Sequence, residues 1–409
     1  MRKNSHFSGQ PLYGQVIKLL DKSKILAYSR NNGGERYTKR FNCWIHLVVM
    51  LYAVIMRFDS LREITASLLA ETRKLSHLGI TFKIGRSTLA DANKRRPEYI
   101  FEAIYRDLYA TYRYALSSDS RSGKTPKWMK RLQIIDSTTI TLFSNLLFKG
   151  VGRHPKTGKK KGGIKVHTVI HANEGVPSDI KFTSAATNDS FMLKPSTLSK
   201  GDIMAMDRAY IDYEKFEQLT QRGVIYVTKM KKNLKYAILS DTMYQTPDGL
   251  MEVRIQNVEF TKPKKGGETI RHKSRIITYA DVKKHKLISL LTNDMDSDPK
   301  EIVAIYRQRW EIELLFKQMK QNFPLKYFYG ESANAIKIQI WVTLIANLLL
   351  MVMQKGLSRK WSFSGLATMV RITLMYYVDF HSLFNNPEKE WEIILSVASG
   401  APPEPSLFD

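Results

Sequence analysis

The chain has 409 residues, 43% of them hydrophobic, with a formal net charge of +26 and a pI near 9.8. This length predicts two or three folding units, and the excess of Lys and Arg favours a polyanionic partner: nucleic acid first, with a membrane surface as the rival. The single cysteine, Cys43, excludes intramolecular disulfides and multi-cysteine zinc sites and fits a reducing compartment.

Residues 1–125 are predicted to be mostly helical. FNCWIHLVVMLYAVIM (41–56) predicts a buried helix. SLREITASLLAETRKL (60–75) has apolar residues at helical spacing, with Asp59 or Ser60 as its N-cap. A third helix is predicted over 86–96, with a cap-like Ser87 and a basic end. A helix pair followed by a basic helix is typical of a DNA-binding module, and equally of a surface helix on a bundle.

The polar stretch 117–128 predicts a linker, after which the pattern changes to strands. A helix is predicted over 211–223, ending at Gly223. Strands are predicted at 132–136, 138–142, 164–172, 178–185, 202–207 and 224–230. This order of elements indicates a mixed α/β sheet. Short strands and turns over 231–297 then indicate an antiparallel β unit inserted before the next helix, 299–321.

The last predicted helix, 332–355, contains the very apolar stretch 338–353. Its 16 residues fall short of the roughly 20 needed to cross a bilayer, and it includes Gln339 and Asn347, so we expect a buried core helix. The N-terminus has no apolar core typical of a secretory signal, so we expect a cytoplasmic protein.

One face of the helix AIYRQRWEIELLFKQMK (304–320) is polar. Tyr306, Arg309, Glu313 and Lys320 fall within an arc of roughly 60°, and Lys317 shares that face. Such a face is typical of a salt-bridged surface or of a site that binds a polyanion. The neighbouring Glu311 points about 200° away from Glu313 around the helix, so it competes poorly with Glu313 as an acidic site residue. The apolar residues expected to anchor the helix are Ile305, Ile312, Leu315, Phe316 and Met319.

Two aspartates end predicted strands: Asp136 in LQIID and Asp207 in DIMAMD. Strand ends are where α/β folds hold their working residues, although either aspartate alone also suits a cap or a turn. With Glu313 they would form an oxygen-rich site of the kind that Mg²⁺ prefers.

IIDSTTI, MDRAY and the spacing Tyr306-x2-Arg309-x3-Glu313-x6-Lys320 resemble the DDE transposases of the bacterial IS4 insertion-sequence family. The resemblance covers roughly residues 130 to 355. It implies an α/β protein with an RNase H-like mixed-sheet catalytic core, an antiparallel β insertion before the glutamate, and a preceding all-α N-terminal domain.

The resemblance also implies an activity. Asp136, Asp207 and Glu313 would bind two Mg²⁺ ions, for which Mn²⁺ can substitute, and activate water to cut transposon ends. The freed 3′-OH would attack target DNA, in cut-and-paste fashion. Tyr306 and Arg309 would hold backbone phosphate together with Lys320. The implied partners are double-stranded DNA and a second copy of the chain in a synaptic complex. No membrane is expected, and the place of action is the bacterial nucleoid.

Five segments are therefore predicted: a helical DNA-binding domain, the first part of the core, the β insertion, the second part of the core with the glutamate, and a tail for dimer contacts. Their bounds are 1–125, 126–230, 231–297, 298–355 and 356–409.

Further DNA contacts are predicted at Arg208, Lys317 and a glycine-rich basic loop, 152–163, whose alternative is a solvated loop. The central lysines of that loop are Lys159, Lys160 and Lys161.

Asp189 is a spare carboxylate near the site, and a helix cap is its favoured role. His167 and His171, four apart on a strand, are poor zinc ligands.

The resemblance also implies an aromatic side chain in the β insertion that stacks on a flipped DNA base. Tyr236, Tyr244 or Phe260 would take this role, unless they belong to the core. The rival functions are a nuclease of the same fold without strand transfer and an inactive DNA-binding regulator.

Overall fold

The structure is a computed structural model, and it describes residues 9–117, 125–141, 163–185, 187–245, 252–263, 269–281, 285–389 and 391–392. The chain divides into two compact units. The helical unit comprises Met1–Ala115 and Gln318–Asp409, and the sheet unit comprises Leu116–Lys317. These units are defined by packing alone, so the five functional segments stay a prediction.

The helical unit is all-α over its described residues, as the sequence predicts for the N-terminal region. Its helices are α1 (Leu12–Ile17), α2 (Lys22–Asn31), α3 (Cys43–Met56), α4 (Leu61–Ala70), α5 (Thr72–Leu75), α6 (Arg86–Arg95), α7 (Glu98–Leu116), α11 (Ala333–Lys355), α12 (Phe363–Thr373) and α13 (Phe380–Asn385). Ser60 caps α4 as predicted, accepting a hydrogen bond from the Glu63 backbone N–H. The predicted cap Ser87 is wrong: α6 begins at Arg86, and Gly85 is its N-cap.

Helices α3 and α11 form the centre of this unit. All residues of α3 except Met56 are buried, which follows from a helix that is apolar all round. Gln339 of α11 is fully buried, and its side chain donates to the carbonyls of Pro324 and Tyr327 and accepts from the Tyr329 N–H. A buried amide is tolerated because these partners satisfy it.

The predicted burial of 338–353 is confirmed, but its helix is longer than expected. α11 has 23 residues and is long and apolar enough to cross a membrane, and 89% of its most apolar window is buried inside the protein. α3 and α4 pass the same test only as a pair bent by 100°. Burial of this extent is typical of a core helix.

The described residues of the sheet unit form one nine-stranded sheet in the order β3-β2-β1-β4-β5-β9-β8-β7-β6. β1 pairs in parallel with β4, and β4 with β5, while the other pairs are antiparallel. The strands are β1 (Leu132–Thr141), β2 (Gly163–His171), β3 (Pro177–Ser184), β4 (Ile203–Met206), β5 (Ile225–Lys229), β6 (Ala237–Gln245), β7 (Glu252–Pro263), β8 (Thr269–Asp281) and β9 (Lys286–Thr292). The order and directions of β1 to β5 confirm the expected RNase H-like mixed sheet.

The two strands predicted at 132–136 and 138–142 are one strand, β1. Its β-branched residues favour an unbroken strand, and β2 pairs with it continuously from Gln133 to Thr141. Asp136 therefore does not end a strand. It follows the last parallel pair between β1 and β4, which joins Ile135 to Met206.

The predicted antiparallel β unit is confirmed, and it extends the central sheet because β9 pairs with β5. Helix α8 (Tyr213–Gln221) packs its Phe216 and Leu219 into the core of this sheet. Phe260 is fully buried in the same core, so it is excluded as a base-stacking residue, whereas Tyr236 is 37% exposed.

The predicted helix 299–321 is interrupted once. α9 (Pro299–Gln308) and α10 (Trp310–Asn322) meet at Arg309, whose N–H donates to the Tyr306 carbonyl three residues back. Arg309 keeps right-handed helical dihedrals, φ −53° and ψ −27°, so the face expected from the 3.6-residue period persists across the interruption. The five apolar residues predicted to anchor this segment are all buried.

Candidate active site

Asp136 and Asp207 meet at the end of a parallel ladder. Ile135 and Met206 are register partners, and each is followed directly by one of the two aspartates. Neighbouring strands lie about 4.8 Å apart, so the two carboxylates share one edge. A backbone N–H fixes each: Ser137 donates to Asp136 Oδ1 at 2.8 Å, and Ala209 donates to Asp207 Oδ1 at 2.9 Å.

Arg309 joins this edge of the sheet to α10. Its Nη1 lies 3.2 Å from Asp136 Oδ2, and its Nη2 lies 2.6 Å from Glu313 Oε1. The Arg309 side chain is only 13% exposed, so little water screens either ion pair. One guanidinium thus holds Asp136 and Glu313 on either side of itself.

The three acidic side chains interact electrostatically. Burial raises the pKa of Asp136 from 3.8 to about 6. The Ser137 N–H and the Arg309 cation lower this pKa, while the negative charges of Asp207 and Glu313 raise it. The site therefore concentrates negative charge that a single arginine offsets only in part.

Tyr306 lies beside the same arginine, with the guanidinium carbon of Arg309 5.8 Å from the centre of its ring. Burial raises the pKa of the Tyr306 hydroxyl, and the charges of Asp207 and Glu313 raise it further. The structure thus brings Tyr306, Arg309 and Glu313 to the two aspartates.

The remaining predicted contacts lie further out. Arg208 and Lys317 are exposed, and so is Glu311. Lys320 is in the last turn of α10, in the part of the chain that belongs to the helical unit, and partial burial lowers its pKa. Lys159, Lys160 and Lys161 lie outside the described residues.

Asp189 is a fourth carboxylate near Asp136, as the sequence allows, but its predicted role as a helix cap is wrong. Asp189 is not a cap, because Asn188 caps that turn by accepting from the Ser190 N–H. Asp189 Oδ1 instead accepts a 2.7 Å hydrogen bond from Ser137 Oγ and lies 3.2 Å from Lys165 Nζ. The register of β1 and β2 is the feature that points to these contacts of Asp189, because it places Ser137 and Lys165 close together.

That register pairs Ser137 with His167, and Lys165 precedes His167 by two residues on β2. His167 is buried, bonds Thr183 Oγ1 at 2.7 Å, and has its Nδ1 3.5 Å from Asp189. Burial lowers the pKa of His167 to about 4, so it is neutral at physiological pH.

Tyr210, in the MDRAY motif, is a site residue that the sequence does not predict. Its hydroxyl is buried, and no hydrogen bond of ordinary geometry reaches it from the described residues. Burial raises its pKa, the charges of Asp136, Asp189 and Asp207 add to this, and a polar contact with Ser137 lowers it in part. A buried hydroxyl beside three carboxylates is available to donate a hydrogen bond to one of them or to a bound group.

The site fits a metal by chemistry, since carboxylate oxygens are the donors that Mg²⁺ prefers. In the described part of the chain, no three His, Cys, Asp or Glu side chains are close enough to hold one ion together. The guanidinium of Arg309 lies between Asp136 and Glu313, which accounts for their separation. The donors fit, and closing them around an ion requires that the arginine withdraw.

The sheet and its carboxylate edge define an RNase H-like protein. The family model described as Transposase DDE domain matches residues 127–349, more than half of the chain. The chain belongs to this family of DNA transposases, and the resemblance to IS4-type insertion-sequence transposases is confirmed. A second model, a domain of unknown function (DUF4372), matches residues 8–81.

Curated relatives carry matching names. The chain is 28% identical over 270 residues to the putative transposase y4zB of Sinorhizobium fredii, covering 66% of this chain and 71% of that protein. It is 26% identical over 283 residues to a putative transposase for insertion sequence element IS4SA of Synechocystis, covering 68% and 74%.

Among solved structures, the piggyBac transposase synaptic complex with hairpin DNA aligns with a TM-score of 0.44 and 12% identity, over 96% of this chain and 86% of that one.

Proposed function

We propose that this transposase binds the terminal inverted repeats of an insertion sequence, cuts the element out and joins its 3′ ends to target DNA. The observation that supports this most is the acidic site of a DDE domain, in which Arg309 pairs with Asp136 and Glu313, and Asp207 lies close enough to Asp136 to raise its pKa. Phosphoryl transfer on DNA needs little covalent chemistry from the protein, so positioned charges account for most of the catalysis.

We infer that Asp136, Asp207 and Glu313 hold Mg²⁺. Bound there, the metal would polarise the phosphate and make an oxygen nucleophile available at neutral pH. The shared edge of Asp136 and Asp207 and the bridge through Arg309 to Glu313 support this role. The pKa of Asp136 also supports it, since burial raises this pKa and the charges of Asp207 and Glu313 raise it further.

Arg309 and Tyr306 would bind the DNA backbone. The planar guanidinium of Arg309 donates to two carboxylates, and the same donors can bind two oxygens of a phosphate. A scissile phosphate would take Arg309 from Asp136 and Glu313, and leave both carboxylates free to serve as ligands. The half-buried Tyr306 hydroxyl donates to the same phosphate. Lys317, Lys320 and Arg208 would bind flanking phosphates.

Each chemical step exchanges one P–O bond for another. Water attacks the phosphorus at the element end, the P–O3′ bond breaks, and the element strand keeps a 3′-OH while the flanking strand keeps the 5′-phosphate. That 3′-OH attacks a target phosphorus, forms a new P–O3′ bond and releases the 3′ oxygen of the target strand. The second-strand cut is proposed to follow from the same site, once per protomer of a synaptic dimer.

The other segments take their proposed roles from position. Residues 1–125 would bind DNA, the β insertion would line the element end, and residues after 356 would contribute dimer contacts. Transposition would take place on the bacterial chromosome in the cytoplasm.

The test uses full-length protein, Mg²⁺, a labelled duplex of an inverted-repeat end and a supercoiled target plasmid. Nicking at the element boundary followed by joined product supports the proposal. Nicking without joining favours the nuclease. If the protein binds the duplex but does not nick it, and Asp136→Ala binds equally well, both the transposase and the nuclease functions are refuted. The inactive DNA-binding regulator would then be the remaining function.

A further inference from the structure

The helical unit contains a large open cleft that no part of the catalytic site uses. Its volume is about 1230 Å³, and it lies between the segment 31–41 and the segment that runs from Phe82 through α6 to Tyr99. We call it the basic cleft. All of its first wall, residues 31–41, falls within the domain of unknown function matched at residues 8–81.

Positive charge dominates the lining. Six cationic side chains face the cleft, and Asp91 is the only acidic residue among the described residues that line it. Asp91 is already paired with Arg95 at 2.7 Å. The six cations are Arg36, Lys39, Arg40, Lys83, Arg95 and Arg96. A concave surface with this imbalance attracts polyanions and raises their local concentration.

Arg96 forms a buried, hydrogen-bonded part of the cleft lining. It is 5% exposed, and its Nε and Nη2 donate to the carbonyls of Gly34 and Phe41 at 3.1 and 3.0 Å. Its Nη1 is buried with no hydrogen-bond partner in the described part of the chain, and its Nη2 lies 3.9 Å from Glu35 Oε2, beyond hydrogen-bond distance. A buried guanidinium that is only partly satisfied favours an anion in the space above it.

The backbone holds an aromatic side chain out beside these cations. Tyr37 has a positive φ of 58° and is 98% exposed. A left-handed tyrosine exposed this fully gains no burial in return for its strain, which is typical of a residue kept for binding. Tyr99 on the facing segment is 50% exposed.

We propose that the basic cleft binds the phosphate backbone of double-stranded DNA without reading its base sequence. This rests on the proposed function for the choice of DNA as the polyanion. Exposed Lys and Arg side chains follow phosphates regardless of sequence, and such contacts position a protein on a duplex. The matched domain of unknown function is thereby assigned a DNA-holding role, separate from the carboxylate site.

The test measures binding of the full-length protein to two labelled duplexes, one of random sequence and one carrying the inverted repeat, by fluorescence anisotropy across a salt series. Chelator replaces metal ions, so that no cleavage occurs. The cleft variant is Arg36→Ala/Lys39→Ala/Arg40→Ala. The matched control is Lys22→Ala/Lys355→Ala/Lys360→Ala, which removes the same charge from exposed positions outside the cleft.

The cleft variant is expected to bind random duplex about tenfold or more weakly near 0.1 M salt, with a salt slope lower by about 3 than that of the wild type. The control keeps both values. Lys83→Glu, on the opposite wall, is expected to weaken binding in the same direction. An unchanged melting temperature shows that these exposed substitutions leave the fold intact.

Equal loss in the cleft variant and the control would overturn the proposal, because net charge alone would then explain binding. So would binding of random duplex at wild-type strength, or tighter binding of an isolated nucleotide than of duplex. None of these results depends on cleavage. A wild type that cannot cut but binds duplex through the cleft would refute only the proposed function.

Discussion

Arg309 and Asp136 are 173 residues apart in the chain and form a 3.2 Å ion pair at the edge of the sheet. The same guanidinium bonds Glu313 at 2.6 Å. Without DNA, this arginine therefore neutralises two partly buried carboxylates in part and keeps two proposed metal ligands apart. Stability and catalysis make opposite demands on these side chains.

Replacement of Arg309 by Ala is expected to destabilise the protein by about 3 kcal/mol at pH 8, because it leaves two partly buried carboxylates without their cation. Lys restores part of the loss, since it pairs with only one carboxylate at a time. Denaturant unfolding measures both. An Arg309→Ala protein as stable as the wild type would contradict the ion-pair account.

Asp136→Asn is expected to abolish end cleavage and to stabilise the protein at pH 8 by about 1–3 kcal/mol. The pKa of Asp136 is about 6 when folded against an ordinary value of 3.8, so the folded protein binds this proton more tightly. Its ionised form lowers stability; this penalty is absent below pH 3.8, grows up to pH 6 and is complete above it.

Unfolding measured from pH 4 to pH 8 should show wild type and Asp136→Asn equal at the acid end and separate above pH 6. Combined with Arg309→Ala, Asp136→Asn should recover part of the lost stability, because the two sites are coupled. A variant less stable than wild type at pH 8 would refute the assigned cause.

Glu313→Gln and Glu311→Gln form a matched pair on one helix. Glu313 is bonded to Arg309, whereas Glu311 is exposed. Loss of end cleavage by at least about 100-fold is expected for Glu313→Gln, since a ligand to the proposed metal is removed, and near-normal cleavage for Glu311→Gln. The reverse result would reassign the third acidic residue.

Asp189→Asn is expected to lower stability by about 1–3 kcal/mol, because the mostly buried Lys165 loses its carboxylate partner and Ser137 a charged acceptor. Cleavage should fall less than in Asp207→Asn, which removes a proposed metal ligand. If Asp189→Asn cut no better than Asp207→Asn, Asp189 itself would be a candidate ligand.

Local patterns predicted much of this architecture. The two aspartates and the polar face of Tyr306, Arg309 and Glu313 follow from period and spacing, and so does the all-round apolar character of α3. The structure brings these site residues together, while their roles remain predictions.

What local patterns missed depends on pairing between distant segments. β1 reads as two strands because the polar run from Asp136 to Thr139 interrupts its apolar residues, and only pairing with β2 shows it to be continuous. The network around Asp189 needs the register of β1 and β2 together with a turn 50 residues further on. The basic cleft is formed by two segments about 50 residues apart, so no window of sequence displays its charge.

The helical unit is discontinuous in the chain, and this has a consequence for synthesis. α3 ends at Met56, and its packing partner α11 starts at Ala333, about 280 residues later. At about 5 to 20 residues per second, α3 leaves the ribosome roughly 14 to 56 seconds before α11 exists. Throughout that interval its apolar surface lacks its native cover, so the nascent chain presents a binding site for chaperones until translation is nearly complete.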